Sequence, residues 1–105
     1  MDRKKLNTTY EFEFYDGDKV DLTLTFYSLM QLSAKNKKAY ERYNKIMSTN
    51  GSNELEMVCI LYIAYLCAHL DEEKLLTEEE FMIKCGSDRM ALKNAVEALL
   101  RPKKQ

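Results

Sequence analysis

Three cysteines, one histidine and two acidic clusters are the residues of this chain best able to do chemistry. Cys59, Cys67 and Cys85 could act as nucleophiles, redox thiols or zinc ligands. A structural zinc site needs about four Cys or His ligands, yet there is no C-x-x-C spacing and His69 is the only imidazole. An odd cysteine count with no signal peptide ahead of it reads as the reduced thiols of a cytosolic chain. His69 would need a nucleophile or paired carboxylate to work as a general acid or base, and none can be assigned to it. It falls where an apolar helix ends, a position that favours partial positive charge. Asp16 and Asp18 flank Gly17 but lack the ligand spacing and terminal glutamate of a calcium loop, and they read as turn formers. Glu78, Glu79 and Glu80 are three adjacent carboxylates, which suit the first turn of a helix. These residues therefore predict no catalytic, metal or cofactor site, and a chain that is not an enzyme.

The elements that would position such residues follow from pattern. In 10–26, YEFEFYDGDKVDLTLTF, apolar and polar residues alternate about one glycine. Tyr10, Phe12 and Phe14 would share a face with Val20, Leu22, Leu24 and Phe26. A two-residue Asp16-Gly17 loop would set Phe14 against Lys19. An Asp16-Gly17-Asp18 loop pairs Phe14 with Val20, Phe12 with Leu22 and Tyr10 with Leu24, and matches apolar to apolar. Residues 28–47 space Leu29, Leu32, Ala39 or Tyr40, Tyr43 and Ile46 or Met47 as one helix, or as two broken near Ser33, with Ser28 or Ser33 as cap. Asn50-Gly51 closes that segment, and Ser52 or Asn53 can cap the next.

Residues 54–70, ELEMVCILYIAYLCAHL, are uncharged from Met57 to Ala68. Twelve residues are too few for a membrane span, which needs about 20. Being apolar on nearly every side, the segment predicts a central helix, with Tyr62, Tyr65 and the cysteines as core fillers. Thr77 and Glu80 form a capping box with Leu76 and Phe81 as its staple, so a helix should start at Glu78. Gly86 ends it, Ser87 or Asp88 caps another, and a stripe of Ala91, Leu92, Ala95, Val96, Leu99 and Leu100 runs up to Pro102.

The fold class is therefore α+β: an N-terminal β-hairpin packed on a bundle of four to five α-helices around one central apolar helix. Residues 1–9 are expected as a flexible N-terminus, 10–101 as a single domain and 102–105 as a flexible tail. The formal charge of −1 supplies no global field to hold a polyanion. It divides into +2 over residues 1–52, from nine basic and seven acidic side chains, and −3 over 53–105, from seven and ten. That asymmetry could orient head-to-tail contacts between copies.

Lys35, Lys37, Lys38, Arg42 and Lys45 make 28–47 basic, with Tyr40 and Tyr43 interleaved, a pattern shared by nucleic-acid grooves and by solvated helix faces. The last two helices, separated by Gly86, could form a helix-turn-helix. However, EEE, Asp88 and Glu97 would repel phosphates as much as Arg89 and Lys93 hold them. A small helix-turn-helix-like nucleic-acid-binding regulator is the alternative reading, of phage origin if the resemblance given next holds for its source.

The order of the parts carries a resemblance. A hairpin ending in LTLTFYSLMQL is followed by the lysine-rich AKNKKAYERYNKIM, by ELEMVCILYIAYLCAHLDE and by LTEEEFMIKCGSDR. With the Tyr40-x-x-Tyr43-Asn44-Lys45 and Leu61-Tyr62-x-Ala64-Tyr65-Leu66 segments, this order resembles the tail assembly chaperones of long-tailed phages and prophages of Gram-positive bacteria, over about residues 10–100. The resemblance implies a non-enzymatic scaffold in the cytoplasm of the bacterial host. It would coat the tape measure protein, recruit tail tube subunits, self-associate, and be absent from the mature virion. It implies no nucleic acid, membrane, cofactor or small-molecule substrate. Lysines 103 and 104 would fit a slippery frameshift site giving a longer product. The surface expected to meet partners comprises Lys35, Lys38, Tyr40, Arg42 and Tyr43, together with the outward hairpin residues Glu11, Glu13, Asp21 and Thr23.

Overall fold

A computed structural model describes residues 9–49 and 53–100. Along it run β1 (Tyr10–Glu13), β2 (Lys19–Leu22), α1 (Phe26–Lys35), α2 (Lys37–Ser48), α3 (Glu54–Ala68), α4 (Glu78–Cys85) and α5 (Arg89–Leu100). The expected N-terminal segment up to residue 8, the Asn50-Gly51 stop, Ser52, Pro102 and the lysines at 103 and 104 lie outside the described residues. The architecture is α+β, with a two-stranded antiparallel hairpin on five helices.

The central helix organises everything else. Asn53 caps α3 by accepting from the Glu56 N–H, and its residues from Val58 to Cys67 are buried except Tyr62. Because α3 is apolar all round, it has no side to turn to water. It packs against β2, α1, α2, α4 and α5. Leu22, Leu32, Ile60, Leu61 and Phe81 are the largest side chains it helps to enclose completely.

The hairpin keeps the expected apolar face, with Phe12, Phe14 and Leu22 buried and Glu11, Glu13 and Asp21 in water. Its register differs from the expected one. Tyr10 pairs with Leu22, Phe12 with Val20 and Glu13 with Lys19. The loop is Tyr15-Asp16-Gly17: the Phe14 N–H donates to Asp18 O (2.7 Å) and the Gly17 N–H to Phe14 O (3.0 Å). Gly17, at φ 94°, takes the last loop position, which needs positive φ. A slip of two residues preserves parity, so the same side chains still face the core.

The second strand stops at Leu22 instead of running on to Phe26. The Thr25 hydroxyl accepts from the Ser28 N–H (3.0 Å) and starts α1 there. This rotates Phe26 out of the sheet pattern and into solvent, where it is 92% exposed. Ser28 is no cap; it is buried and its hydroxyl donates to Thr25 O. The helical segment breaks at Asn36 rather than Ser33. Asn36 donates its N–H to Leu32 O, and its side chain accepts from the Ala39 N–H, so one residue ends α1 and caps α2.

At α4 the capping box is complete, with Thr77 accepting from the Glu80 N–H and Glu80 from the Thr77 N–H. Two tyrosines of α3 set its position. Tyr62 Oη donates to Leu76 O (2.9 Å), and Tyr65 Oη accepts from the Leu76 N–H (2.8 Å). Phe81 then packs edge-on to Phe14 and Tyr62 and tilted on Tyr65. Asp88 caps α5 by accepting from the Ala91 N–H, and Leu92, Ala95 and Val96 bury its inner side.

The hairpin tip is fastened to the end of α4. Lys84 Nζ lies 2.8 Å from Asp16 and 3.1 Å from Asp18, so these aspartates serve an ion pair. Lys84 also sits over the Phe14 ring, and its carbonyl accepts from the Tyr15 N–H (3.0 Å). Gly86, at φ 72°, leaves room for Tyr15: a Cβ there would lie 3.1 Å from Tyr15 Cβ. Two costs should therefore be measurable by chemical denaturation. Phe81→Ala should destabilise by about 3–5 kcal/mol. Gly86→Ala should cost about 1–3 kcal/mol through backbone strain, and it should release the protected Tyr15 amide in hydrogen exchange.

Candidate functional site

The basic helix α2 lies along α3, with Ala39, Tyr40 and Tyr43 partly buried and Ile46 fully buried on the inner side. Lys37, Lys38, Glu41, Arg42, Asn44 and Lys45 remain exposed. Tyr40 and Tyr43 are thus packing residues as well as candidates for contact, and burial raises the Tyr43 pKa. Lys35 reaches the C-terminal side of α3, donating to Leu70 O (2.9 Å) and lying 3.5 Å from Asp71. Lys38 has no acidic partner among the described residues.

Arg42 makes the most connected contact of this surface. Its guanidinium takes both carboxylate oxygens of Glu78, at 2.6 and 2.5 Å, in the fork geometry arginine favours. The same Nη2 lies 2.9 Å from Cys59 Sγ. Arg42 therefore crosses from α2 over α3 to the first residue of α4. The hydrogen bond to Arg42 holds the Glu78 carboxyl below its ordinary 4.5, against a smaller opposing effect of burial.

Two clefts share Arg42 as a bounding residue. One, of about 280 Å³, is bounded by Asn36, Lys38, Ala39, Arg42, Tyr62 and Leu66, among others. The second, of about 440 Å³, is bounded by Arg42, Lys45, Ile46, Thr49, Leu55 and Cys59, among others. Both open onto the seam between α2 and α3.

The hairpin candidates stand elsewhere. The hairpin packs on α3 and α5, whereas α2 packs chiefly on α1 and α3. Glu11, Glu13 and Asp21 are exposed on the outer hairpin face. Thr23 does not share that exposure: it is half-buried, and its N–H donates to Ala64 O (3.2 Å), because the chain has already turned toward α1. The nine candidate residues thus form two separate regions.

The cysteines are all unpaired and buried. Burial pushes the Cys67 thiol up to about 11 and the Cys85 thiol to about 12, and it raises Cys59 as well. Thiols held protonated in this way are poor nucleophiles. His69 caps α3, with its ring nitrogens 2.6 Å from Glu72 Oε2 and 3.2 Å from Asp21 O, and so ties the helix end to β2. No group of three or more His, Cys, Asp or Glu among the described residues could hold a metal ion. No described helix is long and apolar enough to cross a membrane. In the α4–α5 pair, Lys84 is held by Asp16 and Asp18 and Arg89 by Glu54 (2.7 Å).

Sequence reasoning missed the outer face of α1, where Phe26, Tyr27 and Met30 are 92%, 65% and 59% exposed. Reading Thr25 as a cap would have found it, by moving Phe26 from strand to helix. No protein-family model matches the chain, and no curated protein or solved structure matches it.

The Arg42–Glu78 pair has a calculable acid limit. Because the Glu78 pKa is lowered by folding, its contribution is complete above the unfolded value near 4.5 and is lost as pH falls through the lower folded value. Carboxyl NMR titration should give a Glu78 midpoint below 4.5 in the wild type. Arg42→Met should move that midpoint upward.

Proposed function

We propose that this chain is a non-enzymatic scaffold of the tail assembly chaperone kind, working in the cytoplasm of a bacterial host. Copies coat the tape measure protein, keep its apolar faces from aggregating, and help recruit tail tube subunits before the virion is complete. The order of its elements supports this reading through the resemblance to tail assembly chaperones.

The observation that carries it is the exposed apolar face of α1. Single exposed apolar side chains need no explanation. Phe26, Tyr27 and Met30, however, are clustered within about five residues, and Phe26 and Met30 stand one helical turn apart on one side. An apolar group of this kind favours contact with protein. For the helix-turn-helix alternative, two of the cations on the last two helices, Lys84 and Arg89, are engaged by acidic residues, which leaves fewer to hold phosphates. A coat also needs two kinds of contact, one to the coated chain and one between neighbours. The face of α1 and the α2–α3 seam are distinct surfaces that could meet this need.

Co-expression is the direct test. The chain should raise the soluble fraction of a long, helical tape measure protein encoded beside it. A Phe26→Ser/Met30→Ser variant should lose most of that effect while its stability changes by only about 0.5 kcal/mol per site, as expected for surface positions. Tape measure protein that remains insoluble with the wild type would overturn the reading. Salt-sensitive retention on DNA would favour the regulator instead.

A further inference from the structure

We infer that the groove along the seam between α2 and α3 docks an amphipathic partner helix that carries carboxylates beside its apolar stripe. In docking, Arg42 exchanges Glu78 for a carboxylate of the partner. The inference rests on the scaffold reading and assigns the surface that holds the coated chain.

The two clefts meet at Arg42 and are taken as one groove divided by that side chain. Both are bounded by Arg42, and together they follow α2 from Asn36 to Thr49. Fourteen residues, or thirteen steps at a rise of 1.5 Å, make this about 20 Å, enough for roughly three and a half turns of a docked helix. Along α3 the groove is bounded by Leu55, Cys59, Tyr62 and Leu66. Their spacing of four, three and four makes a continuous apolar edge of the sort that receives a helix by its i, i+3, i+4 and i+7 side chains. Leu55 is 68% exposed at one end of that edge.

Charge selects the occupant. Lys38, Arg42 and Lys45 recur at four and three residues, so three cations line the rim along α2. Glu56 is the single acidic residue bounding either cleft. Neither Lys38 nor Lys45 has an acidic partner among the described residues. A helix with glutamates at matching spacing would complement this rim, whereas one with lysines would be repelled. The pair that divides the groove is built for exchange. Its side chains are 47% and 28% exposed, so an incoming carboxylate can reach Arg42 without opening the core.

The test uses the full chain and two synthetic peptides of about 20 residues. Both carry one leucine stripe; it is flanked by glutamates in the first and by lysines in the second. Fluorescence anisotropy should find the glutamate peptide bound at least about tenfold more tightly. Lys38→Glu/Lys45→Glu should reverse that preference, a result that simple unfolding cannot produce. Glu78→Gln removes the competing charge and should tighten the glutamate peptide about threefold, while Phe26→Ser should leave it unchanged. Equal affinity for both peptides, or an unchanged preference in the double variant, would overturn the groove as the site. A single-stranded oligonucleotide bound more tightly than either peptide would do so too. Wild-type affinity in Glu78→Gln would overturn the exchange. Co-expression with tape measure protein separates the two proposals. Rescue that persists in Lys38→Glu/Lys45→Glu overturns the groove and leaves the scaffold reading intact. Charge-selective peptide binding without rescue supports the groove and overturns the scaffold reading.

Discussion

A helix with no polar side has to be surrounded, and the arrangement of this molecule follows from that requirement. Between Val58 and Cys67 only Tyr62 is not buried. Each buried large apolar side chain contributes roughly 1.5–3 kcal/mol relative to exposure, so no arrangement that leaves one flank of α3 in water competes with full enclosure. One hairpin and four helices are what the remaining chain can supply for this. The short ribbon, which is marginal alone, gains its stability by laying Phe12, Phe14 and Leu22 into this common core.

Enclosure by burial is not directional, and polar contacts select which surrounding arrangement forms. Tyr62 and Tyr65 are apolar bodies with polar tips, and their hydroxyls engage both backbone groups of Leu76 just ahead of the capping box. His69 ties the end of α3 to β2, and Lys84 ties the hairpin tip to α4. Most of these are surface or half-buried contacts, individually weak. Their value lies in angle and register more than in total stability. Gly86 has the same role by a different means: its positive φ and missing Cβ let Tyr15 approach the end of α4.

Much of the fold was legible in the sequence wherever one local rule acted alone. The central helix followed from an unbroken apolar run, α4 from the Thr77/Glu80 box, and the hairpin's inward face from alternation. Errors arose where two rules competed over one residue. Thr25 and Phe26 continue the strand alternation, but a threonine hydroxyl can equally cap a helix, and the cap prevailed. Asn36 both ends α1 and begins α2, so the apolar spacing runs across the break almost undisturbed. Hairpin register slipped by two because the three-residue loop runs from Tyr15 to Gly17 and not from Asp16 to Asp18, which places Gly17 at the last loop position, where positive φ is needed. The candidate surface was legible only as composition. That Lys38, Arg42 and Lys45 share a rim follows from spacing, but the partnership of Arg42 with Glu78, 36 residues away, depends on tertiary packing.

Consuming the apolar run of α3 in the interior also explains why the surface keeps apolar residues of its own. The inner face of α1 is satisfied by Ser28, Leu29 and Leu32 packing toward the core. Phe26, Tyr27 and Met30 are left exposed on its other side. The α2–α3 seam is the opposite case, since its apolar edge is partly roofed by the Arg42–Glu78 pair. The pair is part-exposed and so screened by solvent, and α2 is held independently of it by Ala39, Tyr40, Tyr43 and Ile46. The Arg42–Glu78 roof is therefore not the main tie of α2 to the core, whereas the outer face of α1 carries no such roof among the described residues. One surface is therefore partly covered by a side-chain pair and the other is open.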